Sequence, residues 1–139
     1  MKSSVFLDGD WCWDAHPFQV TDETKEMVLD NIVHLLNNFI GCSAYENIIF
    51  CWVMHKQSII DNIVSRLDLS DYEVIIVSLI VNEKALTDRI MRDVKNGIRT
   101  IDVLDRTLQR LPLYNCLNTI KIDTTQKSIE KVAREIENL

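Results

Sequence analysis

A chain of 139 residues is one domain by length and is long enough to bury a sizeable core. Its formal charge of −6 argues against a general nucleic-acid binder, which needs a basic face to meet phosphates. Its most apolar run, Ile75 to Val81, has the length of a strand and falls far short of a bilayer span.

The first expected strand, Val5–Asp8, ends in Asp8-Gly9-Asp10, followed by Trp11-Cys12-Trp13-Asp14-Ala15-His16-Pro17. An apolar run that stops in two acids places carboxylates at the rim of a sheet. Ligands of open parallel α/β sheets bind there, beyond the carboxyl ends of the strands. Gly9 is expected to act as a flexible joint, so that Asp8 and Asp10 hold a metal or orient a hydroxyl. The plainer reading is a solvated, capped turn. Thr21 can cap a helix with Asp22 and Glu23 in its first turn. Met27, Val28, Ile32, Leu35, Leu36 and Phe39 then recur at helical spacing up to Ile40, and Gly41 is a natural stop.

Residues 47–53 read as a strand buried on both faces, because Ile48 to Val53 is apolar throughout. Residues 56–67 predict a helix with Ile59, Ile60, Ile63, Val64 and Leu67 on one stripe. Residues 73–81 predict a second fully apolar strand. Residues 83–96 predict a helix with Leu86, Ile90, Met91 and Val94 inward, ended by Gly97. A further helix over 100–111 is expected to close at Pro112. A short strand over 119–123 and a helix over 125–139, apolar at Ile129, Val132, Ala133 and Ile136, complete the chain. The order β-α-β-α-β-α-α-β-α predicts an α/β fold of three layers, a mostly parallel sheet with helices on both faces.

Three glycines and two prolines leave no low-complexity linker. The start, Met1-Lys2-Ser3-Ser4, shows no signal-peptide pattern. Cys12, Cys42, Cys51 and Cys116 include no C-x-x-C pair and read as reduced thiols acting as small hydrophobes. A cytoplasmic protein is therefore expected. Cys12 with His16 supplies only two of the four ligands that a structural zinc site needs.

The run Phe6-Leu7-Asp8-Gly9-Asp10, with His16-Pro17 after it, resembles the acceptor-binding segment of small P-loop kinases. Gluconate and adenylylsulfate kinases carry a similar Asp-Gly-Asp at the end of their second strand. The strands 48–53 and 74–81 resemble the third and fourth strands of that family. Residues 83–113 resemble its arginine-bearing lid, and Ile120-Lys121-Ile122-Asp123-Thr124 resembles its last strand and adenine-side loop. The resemblance implies phosphoryl transfer from ATP to a small hydroxylated or nucleotide acceptor. It gives Asp8 and Asp10 a catalytic and Mg²⁺-placing role, and Arg106 and Arg110 a catalytic one. Arg89, Arg92 and Arg99 would contact substrate, and Asp123 and Thr124 the nucleotide. The plainer reading of the arginines is a solvated face partnered by Asp88, Asp93, Asp102 and Asp105. Trp11, Trp13, His16, Trp52 and His55 would wall the acceptor pocket, although Trp52 equally suits core packing.

The chain departs from that family in one respect. It contains no Gly-x-x-x-x-Gly-Lys-Ser/Thr, whose backbone N–H groups and lysine cradle phosphates. It begins where the family's second strand begins, and the missing strand is the central one. ATP and Mg²⁺ are implied for a complete family protein, and neither is expected to bind tightly to this chain alone. The strands over 48–53 and 74–81 would then each present an apolar edge, an aggregation hazard. Three arrangements follow: the two strands pair directly, a second chain covers them, or the chain is a fragment, which is favoured. Self-association or a covering partner chain is expected. The alternative is a non-catalytic protein that binds a small ligand or a partner.

Overall fold

Five residues, Ser4–Asp8 (β1), pair in parallel with Asn47–Cys51 (β2) in the computed structural model, which describes residues 2–139. The ladder runs from Ser4 opposite Asn47 to Asp8 opposite Cys51. Between the strands lie a 3-10 turn, Gly9–Trp13, and a long helix, Asp22–Ile40 (α1). Thr21 caps α1 in both directions. Its hydroxyl accepts from Thr24 N at 3.1 Å, and Thr24 Oγ1 accepts from Thr21 N at 2.9 Å. This reciprocal cap satisfies two backbone donors that the first turn leaves without partners. After β2 comes a shorter helix, Gln57–Val64 (α2).

These elements form one compact unit, Met1–Val74. Leu7 of β1 is buried with Val28, Ile32, Val33 and Leu36 of α1 and Ile63 of α2. The exit of α2 is tied to α1 by polar groups. Asn37 Nδ2 donates to Arg66 O at 3.1 Å, Asn37 Oδ1 accepts from Asp68 N at 3.0 Å, and Arg66 forms an ion pair with Asp30.

A second compact unit covers Ile75–Leu139. Val77–Ile80 (β3) pairs in parallel with Ile120–Asp123 (β4). Between them run Glu83–Lys95 (α3), Val103–Arg110 (α4) and a 3-10 turn, Leu111–Cys116. The last helix is Ile129–Glu137 (α5). Asn82 caps α3 through Ala85 N at 2.8 Å, and Gly97 follows α3 at φ +70°, a left-handed position that suits glycine. The buried residues of this unit include Ile90, Leu117, Ile122 and Val132. Ser78 is buried too, and accepts from Thr119 Oγ1 at 2.8 Å.

The chain is thus an α/β protein with short parallel strands and about half its residues in helix. The strands form two pairs, β1–β2 and β3–β4, and among the described residues the strands over 48–53 and 74–81 do not pair with each other. Three details differ from the sequence reading. Both middle strands are shorter than their apolar runs. A strand extends only as far as its partner, and β1 and β4 supply five and four residues. Neither apolar run is buried on both faces. In the first unit the helices cover the Leu7 side and leave Phe6, Ile49, Cys51 and Val53 exposed. In the second, Leu79 and Ile120 are exposed, as are Met91 of α3 and Ile129 of α5, which were expected inward. Finally, the helix expected over 100–111 spans Val103–Arg110, and Leu111 begins a 3-10 turn whose first positions include Pro112. Its fixed φ and missing N–H suit the first turn of a helix.

Candidate functional site

The rim of the β1–β2 sheet is built around a buried glycine. Asp8 ends β1 and caps the 3-10 turn, its Oδ1 accepting from Asp10 N at 3.0 Å. Gly9 lies beneath the Trp52 ring. A Cβ on Gly9 would stand 2.5 Å from Trp52 Cδ1 and 2.8 Å from Trp52 Cβ. The glycine is therefore present to admit the indole, not to act as a flexible joint between two acids. Trp52 Nε1 then donates to Asp10 Oδ1 at 3.1 Å, which fixes the second carboxylate. Asn31 Nδ2 donates to Cys12 O at 3.2 Å and anchors the turn to α1.

One oxygen of each carboxylate is thus committed to the protein. Oδ2 of Asp8 and Oδ2 of Asp10 have no partner among the described residues. Beyond Asp10 opens a shallow cleft of about 450 Å³, lined by Asp10, Trp11, Trp13, Asp14 and Phe18. The Trp13 and Phe18 rings lie 4.7 Å apart at 45°, and Trp11 stands edge-on to Phe6 at 5.6 Å. The His16–Pro17 bond in the intervening loop is cis.

The thiols at this rim are not activated. Burial, aided by the Asp8 carboxylate, pushes the Cys12 thiol up from its ordinary value. Partial desolvation, followed by the Asp8 and Asp10 carboxylates, does the same to Cys51, although part of its surface is exposed. Both stay protonated at neutral pH, the opposite of what a nucleophilic cysteine requires. Among the described residues no group of three or more His, Cys, Asp and Glu side chains is placed to hold a metal ion.

The fold brings Asp8, Asp10, Trp11, Trp13 and Trp52 to one rim, as their positions after two strands implied. Trp52 acts there as a support, with its ring on Gly9. His16 is exposed and His55 half-buried, and neither lines the cleft. Asp14 and Phe18 line it without having been singled out as site residues. Their signal in the sequence was the recurrence of rings at Trp11, Trp13 and Phe18 around an acid.

The remaining candidates lie in the second unit. Arg89 Nη1 donates to Thr124 Oγ1 at 3.1 Å and Nη2 to Thr124 O at 2.6 Å. Thr124 is buried, and its hydroxyl also donates to Ile80 O at 3.1 Å. This pair fastens α3 to the ends of β3 and β4. Asp123 Oδ1 accepts from Thr125 Oγ1 at 2.6 Å and Thr125 N at 2.8 Å. Those bonds, with smaller help from Lys127 and Arg89, hold its carboxyl below the usual aspartate value. Arg99 pairs with Asp93 at 3.1 Å. Arg92 and Arg106 are exposed on α3 and α4. Half-buried Arg110 lies near Tyr114, whose hydroxyl burial pushes up and the Arg110 charge pulls down.

No family model matches this chain, and no curated protein matches it. No helix among the described residues is long and apolar enough to cross a membrane.

Proposed function

We propose that the rim beyond β1 and β2 binds a small hydroxylated molecule, and that the chain is the acceptor-binding part of a kinase-like phosphotransferase. The observation that carries this reading is the cleft itself. It lies beyond the carboxyl ends of two parallel strands, with Asp10 pinned by Trp52 and aromatic rings forming its walls. Such an arrangement is the common location of ligands in α/β proteins.

In this reading Asp10 orients an acceptor hydroxyl through its unpartnered oxygen. As the hydroxyl oxygen attacks a phosphoryl group and the bond to the nucleotide breaks, a rim carboxylate takes the proton. Asp8 and Asp10 would hold Mg²⁺ together with phosphate oxygens, and the metal would neutralise developing charge. The arginines of α3 and α4 are the family-like lid, of which Arg106 and Arg110 have no hydrogen-bond partner among the described residues. Arg89 is already engaged with Thr124 and serves the fold first.

The backbone cradle and lysine that stabilise transferring phosphate are not encoded in these residues, so the chain alone is proposed to be inactive. Titration followed by NMR for small ligands and by calorimetry for Mg-ATP tests both halves of the proposal. Polyols, sugars and nucleosides should include a ligand that shifts the Trp11 and Trp13 resonances. Mg-ATP should bind no more tightly than about 1 mM, near −4 kcal/mol. Micromolar Mg-ATP binding by the 139-residue chain, or transfer from it, would refute the division of labour.

A further inference from the structure

We infer that the molecule held in this cleft carries a positive charge, in the form of an organic ammonium or quaternary ammonium group. The inference rests on the reading of the cleft as a ligand site and narrows its ligand class. Of the five residues lining the cleft, two are carboxylates, three are aromatic and none is basic. Asp14 has no hydrogen-bond or ion-pair partner among the described residues, and the second oxygen of Asp10 has none either. Trp11 is 65% exposed and Phe18 59%, so aromatic surface is open to solvent in the same cleft as these charges. Ring faces carry negative electrostatic potential and attract cations, and adjacent carboxylates add to that attraction.

The charge of the whole unit points the same way. Met1–Val74 contains twelve Asp and Glu against four Lys and Arg, a formal −8, whereas Ile75–Leu139 contains nine against eleven, +2. The chain's acidity is therefore concentrated in the unit that bears the cleft. An acidic field with low-dielectric walls gathers cations and repels anions. A phosphorylated or carboxylated ligand would enter beside Asp10 and Asp14 with no basic side chain lining the cleft to receive it. A hydroxyl on Asp10 and an ammonium group between Asp14 and the rings would satisfy both halves of the site, so an amino alcohol is the fitting ligand class.

The test compares choline with 3,3-dimethylbutan-1-ol, which has the same shape without the charge, and with gluconate as an anionic polyol. Each is titrated into the full chain at low ionic strength, following the indole N–H resonances of Trp11 and Trp13. Choline should bind roughly two- to fivefold more tightly than its neutral isostere, the range that solvent-exposed cation–ring contacts supply. Asp14→Asn should weaken choline severalfold and leave the isostere unchanged. Equal or tighter binding of the isostere or of gluconate would overturn the positive charge while keeping the cleft as a ligand site. A folded protein whose indole resonances respond to none of the three would overturn both readings.

Discussion

Gly9 and Trp52 are one structural decision made at two places in the sequence. The indole occupies the space where any side chain at position 9 would stand, and its N–H then fixes Asp10. Gly9→Ala should force the ring away, break the bond to Asp10, and destabilise the first unit by about 1–3 kcal/mol, the usual range for overpacking. Urea unfolding followed by tryptophan fluorescence checks this, and an unchanged midpoint would mean that the ring shifts freely. Asp10→Asn asks a different question. An amide oxygen still accepts from Trp52 Nε1, so stability should change by less than about 0.5 kcal/mol, as for most surface substitutions. Loss of the negative charge should nevertheless weaken ligand binding at the rim. Calorimetry on a folded variant that binds as well as the parent would return Asp10 to the role of a turn residue.

At the scale of elements, the end of β4 shows how a strand terminus is held. Thr124 is tied to β3 and α3, and Thr125 donates twice to the Asp123 carboxylate. Because Asp123 titrates below its ordinary value when folded, its ionised form contributes stability at neutral pH. That contribution is complete above the ordinary aspartate range and is lost as pH falls through the lower folded value. Thr125→Val removes the hydroxyl donor, the largest cause of the shift, and leaves the backbone donor. The Asp123 pKa should rise toward the ordinary aspartate value, and the acid limb of the stability profile should move to higher pH. Carbon-detected NMR titration of the carboxyl reads this directly. An unmoved Asp123 would show that the backbone donor and the nearby cations suffice.

At the scale of the whole molecule, the dominant fact is apolar strand surface without cover. Parallel sheets are ordinarily buried on both faces, and a two-stranded sheet has little independent stability. Phe6, Ile49 and Val53 in the first unit, and Leu79 and Ile120 in the second, are all more than a third exposed. Exposed apolar strands recruit other chains. The purified chain should therefore sediment as a dimer or larger species at micromolar concentration, with a second copy covering these faces. Phe6→Ser together with Ile49→Thr should shift it toward monomer. A cooperative monomer of the parent chain would show that these faces are stable in water, and would favour the simple ligand-binding reading over a kinase part that needs a complement.

The sequence by itself determined the elements and their direction. Apolar runs separated by helical stripes required parallel strands with crossover helices, and the observed pairs are parallel. Thr21 begins a helix because a local side-chain oxygen meets local backbone donors, whereas the last helix, expected from 125, starts at Ile129 under a Ser128 cap. The placement of Asp8 and Asp10 at a rim followed from where an apolar run stopped. Tertiary structure alone decided which faces are covered, since the runs over 47–53 and 73–81 are apolar on both sides and contain no alternation to show an open face. It also decided strand length, which depends on a distant partner, and the role of Gly9, which depends on a ring 43 residues away. The cleft residues Asp14 and Phe18 are different, because the whole lining falls within residues 10–18 and the recurrence of rings around acids there was visible locally. Local chemistry is readable over a few residues, whereas the support that Trp52 gives to Gly9 and Asp10 exists only once a long-range contact brings them together.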